Sequence, residues 1–188
     1  MRKRIVYTRR EDGGVSVCCP TQWAVDGMAR GAWGDAPRGV IEARIEASIA
    51  GGRQADAAAR FIRAMHFGGL TEAEALCVIR DRDCAPHGTA VELWDLEEIP
   101  PDRWFRDAWR RSHNGGPITI SLPLAKRIQF AKIKTAFDGE NQRRQGDIDL
   151  FDEPITLNWG RIRDQIRSAQ DEVDLRRIWP EVLNGPQA

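Results

Sequence analysis

The sequence predicts an α+β fold: a small antiparallel sheet with an N-terminal β-hairpin, short helices inserted after it, and helices at the C-terminal end. Three observations carry that prediction. Two β-rich runs face each other across a glycine turn near the N-terminus. Apolar residues then recur at helical spacing, broken by glycines. Past residue 88 the spacing shortens to alternation before a long helical pattern takes over.

Each element follows in order. "RIVYTRREDGGVSVCCP" sets Ile5, Val6 and Tyr7 against Val15, Ser16 and Val17. Asp12-Gly13-Gly14 supplies residues that accept positive φ in the turn, and Pro20 ends the second strand. Residues 21–36, with three glycines and two tryptophans, read as a loop. Residues 37–81 read as three short helices joined by glycine stops. The first carries Ile41, Ile45 and Ile49 at i, i+4 and i+8, with Asp35 and Pro37 as start signals and Gly51-Gly52 as the stop. The second carries Ala57, Phe61 and Met65 and ends at Gly68. The third opens with Thr71-x-x-Glu74, a capping box, with Leu70 as its staple.

A strand near 91–95 follows, through Val91, Leu93 and Trp94, until Pro100-Pro101 breaks it. "DRWFRDAWRRSHNGGP" comes next. Wound as a helix, it places Trp104, Phe105, Ala108 and Trp109 on one face and Arg103, Arg106, Asp107, Arg110 and Arg111 on the other. Asp102 is the expected N-cap and Asn114-Gly115 the expected end. The aromatics then turn toward a core or a protein neighbour while the guanidinium groups stay in water. A base-stacking groove does the opposite. Ile118, Ile120 and Leu122 alternate as a strand near 118–122. Leu124, Ile128, Phe130, Ile133 and Phe137 mark a longer helix, residues 146–156 an acidic linker, and Ile162, Ile166, Ala169 and Val173 a last helix. Asp174 then caps a single turn that Pro180 terminates. The expected division is an α+β body over 1–122 and a helical region over 123–188. The alternative is a boundary near Asp81–Thr89, but the strands near 91–95 and 118–122 can as easily complete a sheet with the hairpin.

The chain has 188 residues, 28 of them basic and 28 acidic. Neutrality argues against a protein that coats DNA or membranes with its whole surface, yet it leaves room for a local basic patch. Seven tryptophans against one tyrosine favour aromatic cores or protein interfaces. No apolar run follows the basic N-terminus, so neither a signal peptide nor a membrane span is expected. Cys18, Cys19, Cys77 and Cys84 make a poor disulfide framework and fit a reducing cytoplasm.

Several groups are candidates for chemistry. Cys84-x-x-His87 with His66, Cys77 and His113 lacks the two tight pairs of structural zinc. Cys18 or Cys19 with His113 has no surrounding nucleophile signature. Glu92, Asp95, Glu97, Glu98 and Asp102 lack the spacing of a calcium loop and read as a solvated edge. The glycine pairs 51–52, 68–69 and 115–116 do not join a strand to a helix as phosphate loops do. No catalytic residue, cofactor or metal is assigned. What remains is a charge asymmetry: Lys126, Arg127, Lys132, Lys134, Arg143 and Arg144 against Asp138 and Glu140. The candidate partner-binding set is therefore Trp104, Phe105, Arg106, Trp109 and Arg110, with Lys126, Arg127, Lys132 and Lys134.

"RIVYTRREDGGVSVCCP", "GGLTEAEALCVIRDRD", "PPDRWFRDAWRRSHNGGPITISLPLAKRIQ" and "LRRIWPEVL", in this order, resemble a group of bacteriophage- and prophage-encoded proteins treated as tail-associated or tail-assembly proteins. The resemblance implies a non-enzymatic virion or tail accessory component. It would act through protein–protein contacts with a phage structural protein or itself, in the host cytoplasm or the virion. An alternative of another class is a phage anti-defence or regulatory protein that occupies a nucleic-acid-binding site.

Overall fold

The computed structural model describes residues 3–146 and 154–183; most of the acidic linker expected over 146–156 lies outside them. The fold is α+β. Strands β1 (Lys3–Arg9), β2 (Val15–Cys18) and β3 (Gly88–Asp95) form an antiparallel sheet in the order β2-β1-β3. The hairpin pairs Ile5 with Cys18 and Thr8 with Val15. Its turn follows the sequence reading: Gly13 has φ 67°, and Asp12 Oδ1 accepts the Gly14 N–H at 2.8 Å.

The chain divides into two compact units. The first comprises Met1–Pro101 with Arg110–Ile118, the second Asp102–Trp109 with Thr119–Ala188. In the first, helices α1 (Gln22–Arg30), α2 (Arg38–Ala50), α3 (Ala55–Phe67) and α4 (Glu72–Ile79) stand between β2 and β3 in the sequence. Ile5, Val25, Met28, Phe61, Met65, Leu76 and Ile79 belong to their shared core.

Helix α1 corrects the loop expected over 21–36. Thr21 caps it by accepting the Ala24 N–H at 3.3 Å. Gly27 packs against Met65: a Cβ there would lie 2.8 Å from the Met65 methyl, which would have to move. The glycines that suggested a loop are thus a contact point and, at Gly31, a left-handed C-cap. Helix α2 buries Ile41 but leaves Ile49 exposed, and Pro37 is its N-terminal boundary. Ala57, Phe61 and Met65 of α3 are buried as expected. Thr71 and Glu74 form the reciprocal cap of α4, which runs on into a π-helical turn over Arg80–Cys84.

The helix expected over 102–114 does not form. Residues Arg106–Ala108 make one 3-10 turn, and β4 (Trp109–Ser112) pairs with β5 (Gly115–Ile120) as a separate two-stranded ribbon. Gly115 and Gly116, at φ 94° and 100°, let the chain reverse there. A β-ribbon alternates its faces, so Arg111 points inward beside Trp109. The strand near 91–95 joins the hairpin sheet through β1, whereas the strand near 118–122 pairs with β4 instead.

In the second unit α5 (Leu122–Gly146), α6 (Trp159–Ser168) and α7 (Glu172–Arg177) follow the ribbon. Phe105, Ala108, Ala125, Ile133, Ile162, Ile166, Leu175 and Leu183 belong to its core. Trp159 stacks edge-on against Phe130 and Phe137. The final turn is capped by Asp171, which accepts the Asp174 N–H at 2.8 Å, and not by Asp174. That shift turns Val173 outward, where it is exposed. Among the described residues no helix is long and apolar enough to cross a membrane.

Candidate docking surface

The aromatic segment is structural. Phe105 and Trp109 are almost wholly buried, at 2% and 1% exposure. Trp104 is half-buried: its indole N–H donates to Gln129 Oε1 at 2.8 Å, and its ring meets Trp179 edge-on. Lys132 and Arg176 lie against that ring at 4.3 and 5.3 Å. Gln129 is fully buried, and its amide donates to the Ile178 carbonyl at 2.9 Å. A polar residue thus sits in the buried stripe of α5 because two polar groups need it there.

Arg111, expected in water, is the most deeply held cation of the first unit, with no exposed side-chain surface. Its guanidinium donates to the carbonyls of Gly116 at 2.7 Å and Ala90 at 2.9 Å, pairs with Glu92, and lies 4.8 Å from the Trp94 ring. The β1–β3 register shifts between Val6 and Thr8, and opposite that shift Ala90 adopts φ 47°. Arg111 therefore binds a carbonyl that the bulge takes out of the ladder.

The predicted binding residues separate accordingly. Phe105 and Trp109 are core, and Trp104 and Lys132 are engaged with each other. Arg106 is exposed, Arg110 half-buried, and Arg127 and Lys134 exposed. Lys126 donates to the Arg167 carbonyl at 2.6 Å, fixing the start of α5 beside the end of α6. These two helices frame an open groove of about 740 Å³ lined by Lys126, Arg127, Phe130, Arg163, Ile166 and Arg167. Arg163 lies 5.6 Å from the Phe130 ring. Arg167 pairs with Asp164 at 3.1 Å, but both are largely exposed. The groove thus has an apolar floor and four cations around it, and among the described residues no carboxylate lines it. Arg163 and Arg167 were not legible as partners of the α5 cations, because helix periodicity places residues on a face without saying which face meets it.

The other candidates are occupied by structure. His66 is buried, its Nδ1 bonded to the Gly34 carbonyl at 2.6 Å and its Nε2 to Arg44 at 2.8 Å. His87 and His113 are exposed. The acidic string is parcelled out: Glu92 to Arg111, Asp95 to Lys3, Glu98 to the Asp95 N–H, and Asp102 to Arg176. Among the described residues no three of His, Cys, Asp and Glu converge as metal ligands. A hydrogen bond from the Cys84 thiol lowers the Cys18 pKa to about 7, and the same bond, with burial, pushes Cys84 up. Comparisons with protein families, curated proteins and solved structures find no match.

Proposed function

We propose that this chain works without catalysis, by docking a protein partner on the α5–α6 face, as a phage-type virion or tail accessory component. The observation that carries the reading is the groove, where Lys126, Arg127, Arg163 and Arg167 surround Phe130 and Ile166. Cations around an apolar floor suit an acidic segment interrupted by large apolar side chains. The charges would steer encounter and register, and the buried rings would supply affinity. The aromatic segment 102–109 supports the groove from within the same unit rather than serving as the contact itself. The phage assignment rests on the sequence resemblance, and the host cytoplasm or the virion is where such a partner would be met.

Two experiments test it together. A labelled peptide of alternating acidic and large apolar residues, titrated into the protein, should bind, and R127E/R163E should abolish binding. Affinity purification from phage-producing cells should recover a phage structural protein with the wild-type bait and lose it with that variant. Absence of peptide binding at low salt overturns the reading.

The nucleic-acid alternative has one observation in its favour, the clustering of four cations on one face. Phe130 is only half-buried among them. A steep salt dependence of binding to a DNA duplex, stronger than that of the acidic peptide, would favour it.

A further inference from the structure

We propose that Cys18 and Cys84 form an oxidation site: a hydroperoxide oxidises the Cys18 thiolate to a sulfenic acid, and the Cys84 thiol condenses with it to a reversible disulfide. The site lies within the first unit and is independent of the α5–α6 groove.

Two elements far apart in the sequence bring the thiols together. Cys18 ends β2, an edge strand of the three-stranded sheet, and stands opposite Ile5 in the register. Residues directly opposite share a face of an antiparallel pair, so Cys18 lies on the face of the buried Ile5. The π-helical turn that continues α4 ends at Cys84 and seats it in the same core cluster as Ile5. Cys18 packs against that cluster, and the two thiols share a hydrogen bond. Both are free. Cys19 is a poor rival partner for Cys18, because consecutive Cα atoms lie about 3.8 Å apart and a disulfide usually spans ~4.4–6.8 Å.

The two thiols differ in exposure and acidity. Cys18 is half-buried on the edge strand, where a small oxidant has access, and Cys84 is buried. The hydrogen bond from Cys84, aided by Arg82, lowers the Cys18 thiol to about 7 against burial and Asp83. Asp83 is itself held by Arg53 and Arg82, each at 2.7 Å. The thiolate is the form that peroxide oxidises. With hydrogen peroxide, the Cys18 sulfur bonds to one oxygen, the O–O bond breaks and hydroxide leaves. Cys18 is oxidised and the peroxide reduced. Until then the hydrogen bond to Cys18, with burial and the Cys18 charge, keeps Cys84 protonated. The neutral sulfenic acid removes that charge. The Cys84 sulfur then attacks the Cys18 sulfur, the S–O bond breaks, and the Cys84 proton departs with the hydroxide as water.

The test exposes the reduced full chain to hydrogen peroxide. Peptide mapping under non-reducing conditions should recover Cys18 linked to Cys84, and dithiothreitol should undo the link. Cys84→Ser keeps a hydrogen-bond donor but no resolving thiol, so dimedone should label Cys18 in that variant. In Cys18→Ser, Cys84 should stay reduced, and Cys19→Ser should leave the link in place. The rate of Cys18 oxidation should rise about tenfold from pH 6 to 8 and then level off, as a thiol titrating near 7 requires.

An unlinked Cys84 in the treated wild type, or linkage mainly through Cys19 or Cys77, overturns the proposal. A rate still climbing steeply at pH 9 overturns the role of Cys18 as the attacking thiol. The wild-type map needs no variant, so misfolding of Cys84→Ser leaves the test intact.

Discussion

The two units use arginine beside aromatic rings in opposite ways. In the first, Arg111 is fully enclosed, with two carbonyls, a carboxylate and the Trp94 ring around it. In the second, Arg163 rests on Phe130 with its charge in water, and Arg127 has no hydrogen bond or ion pair among the described residues. A buried guanidinium is tolerable only when each of its donors is satisfied, and removing it strands the groups it served. An exposed one adds little to stability and remains available to a partner. The contrast teaches that Phe105, Trp109 and Arg111, in the richest aromatic-and-arginine stretch of the sequence, are architecture, and it directs the proposed docking role to the plainer surface on α5 and α6.

The largest break in this contrast comes from the core. Trp109→Ala should cost about 3–5 kcal/mol of folding stability, read in urea denaturation, because its ring is 1% exposed. A loss below about 1 kcal/mol would return the segment to the surface. Arg111→Met should cost roughly 2–4 kcal/mol, since it leaves the Ala90 and Gly116 carbonyls without a donor. An unchanged melting temperature would show that the arginine is not holding the bulge. Gln129→Leu should cost about 1–3 kcal/mol by stranding the Trp104 indole N–H and the Ile178 carbonyl. It should also change the tryptophan emission.

The smallest effect is a titration. Hydrogen bonds from Arg143 and Arg144 lower the Glu140 pKa to about 2. A depressed carboxylate contributes stability above its ordinary pKa near 4.5, and that contribution fades as pH falls toward 2. Circular dichroism from pH 5 to 2 should show Glu140→Gln losing less stability than wild type over that window. Equal losses would mean that the ion pairs do not favour the folded chain.

How far the sequence carried depended on the signal. The hairpin, α3 and the cap of α4 were legible because local chemistry decides them: Gly13 in its turn, Phe61 and Met65 at helical spacing, Thr71 with Glu74. Helix α1 was hidden because its glycine at position 27 serves a contact with Met65, which no local pattern reveals. The ribbon over 109–120 was hidden because Trp104, Phe105, Ala108 and Trp109 satisfy a helical period. The competing instruction lay outside the stretch, in the Gly115-Gly116 reversal and in the Ala90 carbonyl that draws Arg111 inward. For the candidate site, the cations of α5 were legible as a charge run. The opposing Arg163 and Arg167 needed the helix pairing that Lys126 fixes at the Arg167 carbonyl.

If the proposed docking role holds, binding resides in the α5–α6 cations and not in the arginines of 102–111. Fluorescence anisotropy of a labelled acidic–apolar peptide, titrated against R127E/R163E and against R103E/R106E, tests it most directly. Only the first variant should lose binding, with both variants melting close to wild type. Loss of binding in R103E/R106E with R127E/R163E unaffected would contradict it.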